Sequence, residues 1–166
     1  MILVLHPSLK VQQDAQLSLL RLGWAGGRYP TTLREAALRF IELAEQLGSE
    51  HVLLDLSALF DLPVYDQLWL SATLLPQALH LRVKQVVVAL PDRRVYNRQV
   101  MEFIMRQLQA MRQLRNSTPC DVQFFAQAEA GLEWLTDFSP RVPELLAEWE
   151  QGGTNLAEPT RQYTTR

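Results

Sequence analysis

The run Val83–Leu90, VKQVVVAL, restricts the fold more than any other segment. It is dense in β-branched residues, which suit a pleated surface, and Pro91-Asp92 ends it sharply. Four further strands are expected around it. Met1–Leu5 is stopped by His6-Pro7-Ser8, and Asp121–Ala126 closes the series. His51–Leu56 is too short for an ordinary helix. Ala15–Trp24 carries apolar residues first at Leu17 and Leu19, then at Leu20, Leu22 and Trp24. That change of parity requires either a bulge or cover on both faces of the sheet.

Helical periods fill the gaps between these runs. Thr32 and Glu35 have capping-box spacing behind Pro30, and a helix from there runs to a stop at Gly48. Val64–His80 is expected to bury Leu68, Trp69, Ala72, Leu75 and Leu79, with Pro76 kinking or shortening it. Val95–Asn116 is the longest helix, with Val100, Phe103, Ile104, Leu108, Met111 and Leu114 expected to face the sheet. Ala128–Phe138 is the last core helix. Two hairpin-like strands followed by this alternation imply an α/β fold, a mixed five-stranded sheet with about four flanking helices, and right-handed crossovers between parallel strands.

A chain of 166 residues, 48% hydrophobic, suits one domain with one sizeable core. Residues 1–138 form that domain. Pro140 and Pro143 set off a short amphipathic extension at 139–151, and the polar stretch at 152–166 is expected to be a disordered tail. A formal charge of -2 supplies no basic field for nucleic acid. The single cysteine, Cys120, excludes an internal disulfide and suits a reducing compartment, with the thiol acting as a small apolar residue beside a strand. The start MILVLHPSLK lacks the basic region and apolar length of a signal peptide, and no window suits a membrane span. A soluble cytoplasmic protein is expected.

Three local stretches, LRLGWAG at Leu20–Gly26, HVLLDLSALF at His51–Phe60 and FFAQAEAGLEWL at Phe124–Leu135, fall in an order and spacing that resembles the SpoIIAA-like branch of the STAS family, a branch related to SEC14-type lipid-binding folds. The resemblance covers roughly the first 138 residues. It implies a STAS-like single domain working as a regulatory or ligand-binding module. In the family's anti-sigma-factor antagonists, a serine at the start of the second helix is phosphorylated to switch partner binding. The matching stretch here is SALFDLPVYD, where Asp61 is kept but Leu62 and Pro63 stand in place of the serine pair. Ser57 and Ser71 lie nearby at other positions, so that charge switch is missing while the binding scaffold is retained.

Catalytic and metal chemistry find little support. His6, His51 and His80 are scattered, one per segment, and no cofactor is expected. Asp55, Asp61 and Asp66 gather about one loop, where capping of exposed amides explains Asp61 and Asp66 more simply than acid–base work. The loop PDRRVYNR at Pro91–Arg98 is richer, because Arg93, Arg94 and Arg98 converge on a helix start after a strand. Such positions attract anions and acidic partners in open α/β sheets. Between Arg93 and Arg115, six arginines stand against one glutamate, an excess of five positive charges. Arginines at four-residue spacing from Glu102 also fit a solvated face held by ion pairs. Met101 and Met105 widen the apolar stripe and suit an adaptable contact or an apolar pocket. Trp149, beyond the core, suits docking of the C-terminal piece or contact with a second copy in a homodimer.

The leading expectation is a non-catalytic interaction module, binding a protein partner through Asp61, Tyr65, Asp66 and the arginines 93, 94 and 98. A carrier of a small apolar or lipid-like ligand is the alternative, and it requires an internal cavity. An unrecognised hydrolase, resting only on the aspartates, is a third.

Overall fold

Six strands, one more than the sequence reading expects, form a single mixed sheet in the computed structural model. Residues 1–6, 9–24 and 30–154 are described, and the side chains of 4–6, 30–32 and 153–154 lie outside that description. The strands are β1 (Ile2–His6), β2 (Leu9–Asp14), β3 (Leu19–Trp24), β4 (His51–Asp55), β5 (Gln85–Ala89) and β6 (Asp121–Phe125). They lie side by side in chain order. β1, β2 and β3 are antiparallel, and β3 through β6 are parallel.

β2 is the strand that the sequence conceals. Leu9 and Val11 point into the main core, while Lys10, Gln12 and Asp14 point to the other face, so LKVQQD reads as a polar connection. The expected strand at Ala15–Trp24 shortens to β3 because residues 15–18 make the hairpin turn. There the Leu17 amide donates to Asp14 Oδ1 at 3.0 Å, and Ser18 takes a left-handed φ of 47°. The parity change in β3 reflects cover on both faces: Leu20, Leu22 and Trp24 belong to one core and Leu19 to a second.

Strands added always in one direction by right-handed crossovers put their connecting helices on one face. Accordingly α1 (Pro30–Leu47), α2 (Val64–Trp69), α3 (Leu75–Ala78) and α4 (Val95–Leu114) share the main core with Leu20, Leu22, Val52, Val86 and Val88. α1 opens at Pro30, ahead of the expected Thr32 cap, whose side chain lies outside the described residues. It closes at Gly48, φ 59°, where the Ser49 amide reaches back to the Ala44 carbonyl at 3.2 Å. The opposite face is covered by α5 (Ala128–Leu135) and α6 (Val142–Thr154), which bury Leu132, Leu135, Val142 and Leu145 against Leu19, Leu53, Val87 and Ala89. Gly131 permits the approach of α5, since a Cβ there would lie 2.5 Å from Val87 Cγ1. Residues 152–154 belong to α6, and the remainder of the expected tail lies outside the described residues.

Two helical faces differ from expectation. α2 and α3 are joined without a break by a π-helical turn at Leu70–Leu74, in which the Leu75 amide bonds to the Leu70 carbonyl, five residues back. Pro76 follows directly, and its missing N–H and bulky ring account for a widened turn there. The extra residue shifts the phase, so Asp66, Leu70, Leu75 and Leu79 are buried while Leu68 and Ala72 face outward. On α4 the buried line is Asn97, Met101, Ile104, Met105, Leu108 and Arg112. Phe103 and Leu114, expected inside, are 60% and 85% exposed. The buried stripe has a polar residue at each end, so a count of apolar positions alone misplaces its centre.

Candidate functional site

The carboxyl ends of β4 and β5 carry two loops, and α4 holds them together. Asn97, fully buried in the first turn of α4, donates through Nδ2 to the carbonyls of Leu59 (3.2 Å) and Phe60 (3.0 Å), and its Oδ1 accepts the Leu62 amide (3.2 Å). Beside it the Tyr96 hydroxyl donates to the Leu62 carbonyl at 2.9 Å, and Gln67 Nε2 on α2 donates to both that carbonyl and the Tyr96 oxygen. Buried amides and carbonyls of an irregular loop need such partners, so three side chains fix the 59–62 backbone onto α4. The start of α2 is thereby held against the start of α4.

On the outer side of this joint lie several apolar side chains that the fold leaves in water. Tyr65 is 80% exposed, Leu68 60%, and Val64 and Val95 more than half. Charges ring them. Arg94, half-buried, reaches the exposed Asp61 at 3.7 Å. Arg98 divides between Asp92 (3.4 Å) and Glu102 (3.3 Å), which is the stitched helix face that the four-residue spacing describes. Arg93 is exposed and joins no ion pair among the described residues. Asp61 and Arg94 thus meet beside the start of α4, whereas Arg98 also leans over the Phe124 ring of β6.

Asp66 does not belong to that surface. It is fully buried and accepts an ion pair from Arg34 Nη2 of α1 at 3.4 Å, while Arg34 also lies over the Trp69 ring. The residue ties α2 to α1 and does not cap an exposed helix start. Asp55 turns away as well, accepting the Ser57 hydroxyl at 2.7 Å and the Ser57 amide at 3.3 Å. Leu62 is buried in the loop, and Pro63 is exposed immediately before α2.

Met101 and Met105 are buried, and both line an apolar cavity of about 170 Å³ between α4, α1, α3 and the sheet. Arg112, also in its wall, is 2% exposed and was missed by the sequence reading. Its Nη1 donates to the Val83 carbonyl at 2.5 Å and its Nη2 to the Leu81 carbonyl at 2.7 Å, pinning the turn before β5 to the last turn of α4. Cys120 faces the same cavity, and burial pushes its thiol above the usual range, partly offset by the charge of Arg112.

Trp149 docks onto the domain. Its ring lies 3.9 Å from the buried guanidinium of Arg21 on β3 and 4.3 Å from Lys10 Nζ on β2, and Lys10 also donates to its backbone carbonyl. Burial lowers the pKa of both cations: for Lys10 the charge of Arg21 adds to the effect, and for Arg21 the charges of Asp55 and Glu129 oppose it. Gln12 fastens the same helix by donating to the Leu145 carbonyl (2.8 Å) and to Glu148 Oε2 (2.6 Å). Gly23 leaves room for the indole, because a Cβ there would sit 2.6 Å from it.

Among the described residues no three His, Cys, Asp or Glu side chains gather to hold a metal, and no helix is long and apolar enough to cross a membrane. No family model, no curated protein and no solved structure matches the chain.

Proposed function

We propose that this chain is a non-catalytic, STAS-like interaction module that binds a protein partner through the surface formed by the starts of α2 and α4. The observation that carries the reading is the pairing of a rigid base with an exposed apolar top. Asn97, Tyr96 and Gln67 hold the two helix starts together, and Val64, Tyr65, Leu68 and Val95 project outward among Asp61, Arg93 and Arg94. Clustered apolar side chains rimmed by charge characterise partner-binding patches, in which aromatic and arginine residues carry most of the affinity. Arg94 and Arg98 are matched by Asp61, Asp92 and Glu102, and the exposed Arg93 is the cation that favours an acidic group on the partner. Without a serine at positions 62 and 63, binding is not switched by phosphate at that point.

The test is affinity capture from native cells with the wild type, Arg93→Ala/Arg94→Ala and Tyr65→Ala/Leu68→Ala, followed by calorimetry on the recovered partner. Both double variants are expected to lose at least tenfold in affinity, about 1.4 kcal/mol; the melting temperature of Tyr65→Ala/Leu68→Ala stays within about 2 °C of wild type, as befits surface changes, while loss of the half-buried Arg94 lowers it further. Undiminished affinity in both would refute the reading.

A further inference from the structure

The cavity behind α4 stands apart from the α2–α4 surface, and its wall is hydrocarbon and sulfur from Leu22, Phe40, Val86, Met101, Ile104 and Met105 among others. Arg112 is the one charged side chain in that wall, and it offers the space no polar group. Its terminal nitrogens donate to the Val83 and Leu81 carbonyls, and its Nε is enclosed in the packing. Water therefore finds too few polar partners in the cavity to be held. The volume of about 170 Å³ slightly exceeds the roughly 150 Å³ at which an apolar protein cavity takes up benzene. A second feature of the fold faces the same space. The π-helical turn contributes Leu70 and Leu74, and Leu75 and Ala78 follow from α3. The extra residue of that turn brings Leu70 and Leu75 to one wall five positions apart, whereas an unbroken α-helix aligns residues three or four apart. Single π turns inside α-helices are frequent at functional sites.

We propose that the cavity is a binding site for a small uncharged apolar molecule, a hydrocarbon body about the size of one aromatic ring with no hydrogen-bonding group. The wall sets the chemistry, because a hydroxyl or carboxylate carried inside gives up its water and meets no new partner. The volume sets the size and excludes a two-chain lipid. Filling the space supplies dispersion contacts to side chains on every side of it, and the flexible thioethers of Met101 and Met105 let the chamber fit the body closely. This proposal is independent of the partner surface, so either can fail alone.

Toluene is the probe, and phenol is its control, being of similar size with one hydroxyl. Calorimetry and thermal shift on the full chain at pH 7 are expected to show saturable toluene binding, at least tenfold tighter than that of phenol. Ala36→Leu and Cys120→Leu add bulk at buried positions in the cavity wall, one on α1 and one just before β6. Each is expected to weaken toluene at least tenfold. Should one of these variants not fold, the other still decides, and the comparison of toluene with phenol needs only the wild type. No saturable toluene binding, phenol binding as tightly as toluene, or toluene binding unchanged in a folded wall variant each overturns the proposal.

Discussion

Asn97 shows how one amide can set the shape of the surface proposed for recognition. Its three hydrogen bonds satisfy backbone groups at Leu59, Phe60 and Leu62 that otherwise face a buried void. Asn97→Ala strands those groups and is expected to lower stability by about 2–3 kcal/mol, measured by urea unfolding. The same variant should weaken partner binding, because Tyr65 and Leu68 then lose their fixed base; stability close to wild type would contradict the role given to the amide. The residue was open to detection in the sequence, since it sits four places before Met101 on the apolar stripe of α4, where a polar side chain is out of place. Arg112 closes the same stripe at the other end. Both were missed for one physical reason: periodicity counts apolar residues, whereas a buried polar group declares itself only through the loop carbonyls it meets. The positions of Arg93, Arg94 and Asp61 in loops between a strand and the next helix were legible, because Pro, Asp and Ser punctuation marks those loops.

Among the elements, the sheet was easier to read than the helix faces. β5, β4 and β6 announce themselves by short apolar runs, whereas β2 alternates toward a face whose cover, α6, comes more than a hundred residues later. The buried line of α2 runs through Asp66 to Leu70, and the π turn of Leu70–Leu74 then resets the phase for Leu75, which leaves Leu68 outside on the surface proposed for the partner. α6 makes two predictions. Trp149→Ala removes the ring that covers Arg21 and Lys10, and since the indole is only partly buried its loss is expected to cost about 2 kcal/mol, below the range for a fully buried tryptophan. Glu148 supplies a pH dependence. Burial works to raise its pKa, but hydrogen bonds from the Met1 ammonium and Gln12, with the ammonium charge, hold it below the ordinary value of 4.5. A carboxylate depressed on folding stabilises above its unfolded pKa and loses that contribution as pH falls through the folded one. Acidification below about 4.5 should therefore loosen α6 and change Trp149 fluorescence, and Glu148→Gln should flatten this response. An identical acid transition in that variant would show that the helix is fastened elsewhere.

At the scale of the whole molecule, one sheet serves two cores. The larger, under α1 to α4, supports the surface proposed for the partner and contains the cavity; the smaller, under α5 and α6, closes the other side. Cys120 reports on the larger core. A thiol raised by burial and enclosed beside Arg112 should react with a thiol reagent only as fast as the core opens, and rapid labelling of the native chain would show that this core is open. The central claim is that partner recognition resides at the starts of α2 and α4, and a hydrogen-exchange footprint of the bound partner tests it most directly. Slowed exchange concentrated at residues 61–68 and 92–99 is the predicted result, with α5 and α6 unaltered. Protection over α6 or β1, with those two segments exchanging as in the free chain, would contradict it.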